Sequence, residues 1–159
     1  MRDRTRMYLH LFITILIMIF IFQRSALSAD LSSLESGKLA ALIAQLLPLD
    51  PGVAEVVVRK TAHFAEFAVL GASLAVNMKD VARMRGIDAA LSFSTTSFAV
   101  PWIAGTFYAV TDEVHQMFVP GRSCELRDMV IDACGVAVGV LVMEMVSRRR
   151  RMKKIVVLP

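Results

Sequence analysis

The sequence predicts an all-α fold: a polytopic membrane helical bundle of about four transmembrane helices, with one amphipathic helix on its outer face. Three observations support this fold class. Hydrophobic residues make up 56% of the 159-residue chain, and its mean hydropathy is +0.59. Apolar runs that are long enough to cross a lipid bilayer recur along the chain. Basic residues flank these runs, as is typical of membrane proteins.

The positive charge of the chain also follows a membrane pattern. The net charge is +4 at pH 7. Twelve of the 18 Lys and Arg residues flank the apolar runs: Arg2, Arg4, Arg6, Lys79, Arg83, Arg85, Arg148, Arg149, Arg150, Arg151, Lys153 and Lys154. Short basic flanks mark the cytoplasmic side of membrane helices. We therefore expect a multi-pass protein of the inner (cytoplasmic) membrane with both termini in the cytoplasm, contacting membrane lipid and not nucleic acid.

The first apolar run, residues 7–22, follows a basic cytoplasmic N-terminus at residues 1–6. As a helix it spans roughly 24 Å, slightly less than a hydrocarbon core of about 30 Å. A signal peptide is the alternative interpretation, because Ala26 and Ser28 form a small-x-small cleavage pattern after the run. Both interpretations export the segment that follows, and whether residues 1–29 are retained stays open.

Residues 31–47 predict an amphipathic helix and not a span. A possible capping box, Ser32-x-x-Glu35, precedes leucine and isoleucine residues that recur at helical spacing. Such a helix is expected to lie on the outer membrane surface or to pack over the bundle.

The second span is predicted at residues 61–78, in a helix that begins earlier. Asp50 and Pro51 have the residue types of an N-cap and a first helical position. We expect this helix to run to about Met78, before a basic turn at residues 79–86.

The third span is predicted at residues 87–111, and the fourth at residues 129–146. Because the third is longer than a bilayer requires, we expect it to tilt, or to kink at Pro101. Pro120 and Gly121 have the chemistry of a tight turn between the two spans. A basic cytoplasmic tail, residues 148–159, ends the chain.

Three runs of ionisable residues interrupt these apolar segments, and the predicted topology places all of them at the outer membrane face. Their members are Lys60, His63 and Glu66; Asp112, Glu113, His115 and Gln116; and Arg122, Asp128 and Asp132. A charge at mid-bilayer costs about 2.5–3.5 kcal/mol on insertion scales, so such groups face protein or a wet cavity. We therefore expect one shared site. With about 100° of rotation per residue, most members of each run share one helix face, whereas Glu113 points elsewhere, towards the rim.

The fourth span carries a stripe of small residues below its two aspartates. Asp128, Asp132, Gly135 and Gly139 fall within about 60° of one another on a helix. Because glycines allow two helix backbones to approach closely in lipid, this face is expected to pack into the bundle. Asp132 is therefore predicted to be interior, and the glycine pair to serve intramolecular packing and not dimerisation.

These residues allow three kinds of chemistry. In general acid–base catalysis, the catalytic residues would be His63, Glu66, Asp112 and His115, and the substrate-binding residues Lys60, Glu113, Gln116, Arg122, Asp128 and Asp132. A metal site is the second, with His63, Glu66, Asp112 and His115 as ligands, because Asp112-x-x-His115 has the spacing of some bundle metal ligands, although this pattern is weak. The third is a polar network that holds the bundle or captures a lipid phosphate without catalysis. The sequence identifies no cofactor, and whether the protein is an enzyme stays open.

Simpler interpretations apply to individual members. Lys60 could extend to the headgroups, Asp128 could cap the fourth helix, and Asp112 could be interfacial. Lys60 or Arg122 could neutralise the two deeper carboxylates, Glu66 and Asp132. A proton-coupled transporter is a further alternative, but the predicted cytoplasmic half carries no intramembrane charge that would support it.

The polar runs carry a family resemblance that covers about residues 8–147. The motifs are Lys60-Thr-Ala-His63-Phe64-Ala-Glu66-Phe67-x-x-Leu70-Gly71, then Asp112-Glu113-Val-His115-Gln116-x-Phe-x-Pro120-Gly121-Arg122, then Asp128 and Asp132 before Gly135 and Gly139. With these motifs the chain resembles the VanZ-like family of small bacterial membrane proteins. Two positions depart from the family pattern: Phe67 stands where Tyr is more frequent, and Asp132 stands where Asn is common.

The resemblance implies a role at the cell envelope. The namesake of the family is associated with glycopeptide resistance of the teicoplanin type, but the resemblance implies no particular reaction. We expect an envelope protein that binds, with or without modifying, an anionic lipid-linked or peptidoglycan-related molecule. The alternative is a non-enzymatic structural or lipid-binding module whose polar network is architectural.

Overall fold

The computed structural model describes residues 2–28, 37, 40–42, 44–45, 50–86 and 95–156, with side chains up to residue 150. The regular structure of these residues is α-helical, which confirms the all-α fold. Four long helices follow one another along the chain: α1 (Arg2–Ser25), α2 (Pro51–Met84), α3 (Thr95–Gln116) and α4 (Leu126–Val156). Of the predicted segments, residues 87–94 of the third span and most of the amphipathic helix lie outside the described residues.

Two of these helices are long and apolar enough to cross a membrane: Asp3–Ser25 within α1 and Leu126–Arg150 within α4. Only 11% of the most apolar window of α1 is buried inside the bundle, so most of its apolar surface is open to the surroundings. The helices α2 and α3 are long enough, but ionisable residues in α2 and threonines, proline and glycine in α3 lower their apolarity. Four spans therefore stay a prediction.

The helices run alternately up and down, and α2 lies at the centre. It packs against α1, α3 and most extensively against α4. The shared core consists of small and medium apolar side chains around Phe67, Leu70 and Val136, with Ile21 from α1 and Ala109 from α3. As a result, the ends of α1 and α3 and the starts of α2 and α4 meet at one end of the bundle.

Glycines set the close approach of α2 and α4. A Cβ on Gly139 would lie 1.9 Å from the backbone oxygen of Ala68, and one on Gly135 would lie 2.5 Å from that of Phe64. From the α2 side, a Cβ on Gly71 would lie 2.3 Å from the oxygen of Val136. The predicted intramolecular packing of the glycine stripe is therefore confirmed.

Several local predictions are also confirmed. The side chain of Asp50 accepts hydrogen bonds from the backbone N–H groups of Gly52 (2.8 Å) and Val53 (3.3 Å), as an N-cap does. Gly121 has φ 76°, and the N–H of Arg122 bonds to a carbonyl three residues earlier, which completes the predicted turn.

Two helix boundaries differ from prediction. α2 continues to Met84, past the expected end at Met78, because the residues expected to form a basic turn bond as a further helical turn. α4 begins at Leu126, so Asp128 lies inside its first turn and is not its N-cap. The proline at position 101 is buried within α3, which is helical on both sides of it.

A second polar cluster lies at the opposite end of the bundle, where α1 begins and α2 and α4 end. We call this the basic end. Asp80 is 3% exposed; one of its oxygens lies 2.5 Å from His10 Nδ1, and the other accepts a bond of 2.7 Å from Arg83. Lys79 lies 3.1 Å from the buried Glu144. The expectation that this half lacks interior charge is therefore wrong, because both carboxylates are buried beside basic partners.

Candidate functional site

A cleft open to the surroundings lies where α2 and α4 begin and α3 ends. We refer to it as the cleft. It is lined by Arg59, Lys60, His63, Glu113, Gln116, Arg122, Asp128, Ile131 and Asp132. The structure thus brings together members of all three polar runs. Three of the predicted site residues lie elsewhere: Glu66, Asp112 and His115.

Asp132 is one of two deeply buried acidic groups of the cleft. It is 1% exposed, and neither carboxylate oxygen has a hydrogen-bond partner among the described residues. The nearest basic group is His63, whose Nδ1 lies 3.8 Å from one of these oxygens. Because α4 packs tightly on α2 just below, at Gly135, the aspartate is held inside the bundle as predicted. A buried carboxylate without hydrogen-bond donors is costly and gains from any ligand that donates hydrogen bonds to it.

Lys60 is occupied by acidic partners at the start of α4 and in the loop before it. It forms an ion pair with Asp128 and lies 3.9 Å from a carboxylate oxygen of Glu125. Its side chain therefore bridges α2 to the start of α4 and does not extend alone to the headgroups. The cap interpretation of Asp128 is wrong because α4 begins before this residue, at Leu126.

Glu113 corrects the prediction that it points to the rim. The residue is 1% exposed and lines the cleft, and its Oε2 accepts a 3.1 Å bond from the N–H of Glu125. Helical phase alone placed it away from its neighbours in α3. The loop between α3 and α4 folds back across that face and buries it.

Arg122 is held at the cleft by neutral acceptors. Its guanidinium donates to the backbone oxygen of Leu27 (2.9 Å) and to Oε1 of Gln116 (3.1 Å). Burial and the nearby guanidinium of Arg59 lower the pKa of Arg122. Within the described chain, neither arginine forms an ion pair with a carboxylate. Although Asp112 and Glu113 lie near enough to act on Arg122, neither guanidinium group is in a direct ion pair with a described residue, and both keep donors that suit a bound anion.

The remaining predicted residues face α1 in a separate cluster. Arg24 lies 3.5 Å from Glu66, which corrects the expectation that Lys60 or Arg122 would neutralise this carboxylate. The hydroxyl of Ser25 donates to Asp112 (2.7 Å). Asp112 is 2% exposed, so the interfacial interpretation is wrong.

His115 belongs to the same cluster and not to the cleft. Its ring stacks on Phe22 with 4.2 Å between centroids. The expectation that Glu66, His115 and Asp132 converge on one cavity is therefore wrong, because the first two are turned towards α1. The cluster still connects to the cleft: Gln116 donates to Asp112 (3.1 Å) and accepts from Arg122.

Comparison with known proteins identifies the family of this chain. The VanZ/LLP1 family matches residues 10–147, most of the chain. The protein belongs to the VanZ/LLP1 family. The resemblance drawn from the three motifs is thereby confirmed, and the two long apolar helices are those of a membrane protein. No curated protein and no solved structure shows a significant match.

Sequence reasoning missed what α1 contributes to this VanZ/LLP1 domain. Arg24 and Ser25 follow the first apolar run, directly before the small-x-small pattern of the signal-peptide alternative. Their signal in the sequence is a charge and a hydroxyl at the same end of the bundle as the three polar runs. Arg59 was also missed, although it precedes Lys60 directly and lines the cleft.

The described residues do not form a metal centre of the predicted kind. Nowhere in this part of the chain do three His, Cys, Asp or Glu side chains come close enough to hold an ion. The histidine of the Asp112-x-x-His115 pattern stacks on Phe22, while its aspartate accepts from Ser25.

Proposed function

We propose that this VanZ/LLP1 protein is an envelope protein of the inner membrane whose cleft binds the anionic group of a lipid-linked or peptidoglycan-related molecule. The observation that carries this proposal is the pair of guanidinium groups at the cleft, Arg59 and Arg122, neither of which has a carboxylate within ion-pair distance in the described chain. Arginine presents a planar set of donors that matches phosphate and carboxylate oxygens.

The distribution of basic residues supports an outward-facing cleft. The flanks that carry most of the Lys and Arg gather at the basic end, where α1 begins and α2 and α4 end. Under the positive-inside rule this end faces the cytoplasm. The cleft, at the other end, then faces the periplasmic or external side, where envelope precursors are assembled and used. All four helices cross the membrane in this proposal.

The pair of His63 and Asp132 supports proton exchange with the bound molecule. Imidazole exchanges protons near neutral pH, so a histidine in a cleft is a candidate acid–base group. His63 Nδ1 lies 3.8 Å from the Asp132 carboxylate, within ion-pair range but beyond a direct hydrogen bond, and both residues line the cleft. In this proposal His63 is the acid–base group, while Glu66, Asp112 and His115 hold the neighbouring cluster in place.

Binding to the purified full-length protein tests the proposal. We expect short-chain dihexanoyl phosphatidylglycerol, added below its micellar concentration, to raise the unfolding temperature of the detergent-solubilised protein. Arg122→Gln should weaken this binding about tenfold or more, because a hydrogen bond to a charged group contributes about 1.5–3 kcal/mol.

Arg127 provides the matched control. It lies at the same end of the bundle, is exposed and makes no contact with the cleft. Arg127→Gln should bind the lipid as the wild type does. Equal binding by wild type and Arg122→Gln would contradict the proposal.

An architectural role is the second candidate, and the Arg122 contacts favour it. This side chain ties the end of α1 to α3 through Leu27 and Gln116, and Lys60 ties α2 to α4. A purely architectural network predicts that Arg122→Gln lowers the unfolding temperature without any change in lipid affinity. The same titration therefore distinguishes the two roles.

A comparison of cells with and without the gene tests the envelope role directly. We expect a difference in membrane lipids or muropeptides that is restored by the wild-type gene and not by His63→Ala. Teicoplanin susceptibility measured on the same strains tests whether the resistance associated with the namesake of the family extends to this protein. Unchanged lipids and muropeptides would contradict enzymatic activity on the envelope.

A further inference from the structure

The cleft holds two kinds of unsatisfied charge at different depths. Arg59 and Arg122 are only partly buried, whereas Asp132 and Glu113 are each 1% exposed. All four side chains line the same open space. A ligand that enters the cleft therefore meets guanidinium groups first and carboxylates beneath them.

The deep carboxylates are poorly satisfied by the protein itself. Both oxygens of Asp132 lack hydrogen-bond partners among the described residues, and His63 stands 3.8 Å away. The described contact of Glu113 is a single backbone N–H, to Oε2. A simple anion bound by the two arginines would leave these groups unpaired and would add repulsion between like charges.

The third cation of the cleft does not supply the missing partner. Lys60 is already engaged by Asp128 and lies near Glu125. Its ammonium therefore belongs to an ion pair at one side of the cleft. His63 lies beside Asp132 but at 3.8 Å, beyond hydrogen-bond distance, so the oxygens of Asp132 still lack a donor among the described residues, and the described bond to Glu113 is its single backbone N–H.

We infer that the ligand is zwitterionic, with a phosphate or carboxylate for the two guanidinium groups and a primary ammonium group for the buried carboxylates. This inference rests on the proposed function and specifies its ligand class. A primary ammonium carries three N–H donors, enough for both oxygens of Asp132 and one of Glu113. A quaternary ammonium has no N–H donor and would leave these oxygens unsatisfied. The phosphoethanolamine headgroup of a lipid and the same group free in solution share this chemistry.

Paired ligands that differ only in the amine test the inference. Dihexanoyl phosphatidylethanolamine and dihexanoyl phosphatidylcholine carry the same phosphate and acyl chains. With the full-length protein in detergent, we expect the ethanolamine lipid to bind about tenfold more tightly than the choline lipid, since charged hydrogen bonds are present in only one complex. Asp132→Asn should remove most of this preference while affinity for phosphatidylglycerol is kept.

A second variant and a control guard against loss of folding. Glu113→Gln removes the other deep carboxylate and should also reduce the preference. Glu144→Gln removes a carboxylate that is equally buried, but at the basic end, and should leave the preference unchanged. Each variant is compared as a monodisperse species in size-exclusion chromatography.

The outcomes separate this inference from the function on which it rests. If phosphatidylglycerol binding depends on Arg122 but the ethanolamine lipid binds no better than the choline lipid, the zwitterionic ligand is wrong and the anion site stands. If no lipid depends on Arg122, both are wrong. If the ethanolamine lipid is preferred, sn-glycero-3-phosphoethanolamine is then added as a competitor. Displacement of the lipid would indicate that the ligand is a soluble phosphoethanolamine, and no displacement would indicate that it is a lipid.

Discussion

At the scale of single residues, hydrogen bonds to one oxygen of Asp112 join the cluster beside α1 to the cleft. Asp112 is 2% exposed and accepts from Ser25 (2.7 Å) and Gln116 (3.1 Å) on the same oxygen. Buried polar groups stabilise a fold only when their partners are present. This network also fixes Gln116 as an acceptor for Arg122, so the cluster positions a residue of the cleft.

Ser25→Ala should therefore destabilise the protein. It removes a donor to a buried carboxylate, and hydrogen bonds to charged groups contribute about 1.5–3 kcal/mol. We expect a loss of this size in the free energy of unfolding, measured by titration with sodium dodecyl sulfate in mixed micelles. Ser123→Ala is the control, because Ser123 is exposed in the loop before α4. If both variants unfold alike, the network does not stabilise the fold.

The position of a residue could be predicted from the sequence where it depends on the geometry of a single helix. The stripe of Asp132, Gly135 and Gly139 follows from helical phase alone, and the structure places it inward. Glu113 could not be predicted in this way, because its burial depends on a loop that folds across α3. The partner of Glu66 was equally out of reach, since Arg24 is 42 positions away and only helix packing brings it near.

At the scale of helices, the contact of α2 with α4 depends on glycine. The oxygen atoms that a Cβ on Gly139 or Gly135 would meet are those of the α2 backbone, at Ala68 and Phe64. Backbone atoms inside a packed helix cannot move aside as a side-chain tip can. A larger residue therefore has to separate the two helices.

Gly139→Ala should lower the free energy of unfolding by about 1–3 kcal/mol, the usual cost of overpacking. The same titration in mixed micelles measures this loss. Gly37→Ala is the matched control, because a Cβ there meets no atom within 4 Å among the described residues. An unchanged stability of Gly139→Ala would show that the helices do not approach as closely as the structure has them.

At the scale of the whole molecule, the two ends of the bundle carry different sets of charged residues. The basic end gathers the Lys and Arg flanks around Asp80 and Glu144, whereas the cleft end carries the three polar runs. The basic flanks and the three polar runs could both be assigned to their ends of the bundle from the sequence, because the charges that flank apolar segments indicate topology without a structure. It did not show that the cleft and the α1 cluster are separate, since this depends on which face of α2 meets each neighbour.

Topology can be tested with a native cysteine. Cys124 lies in the loop at the cleft end and is partly exposed. In a Cys134→Ala background, we expect a membrane-impermeant maleimide to label Cys124 in intact spheroplasts. A cysteine introduced instead at Ser147, at the basic end, should react only after permeabilisation. Labelling of both, or of the Ser147 site alone, would contradict the proposed orientation.

The central claim is that the cleft binds an envelope molecule through Arg122. Native mass spectrometry of the protein extracted from its own membranes in mild detergent tests it most directly. The account predicts that a ligand of discrete mass stays bound to the wild type and to Arg127→Gln. The Arg122→Gln protein should be folded but should lack this bound ligand. The same bound species at equal occupancy on all three proteins would contradict the claim.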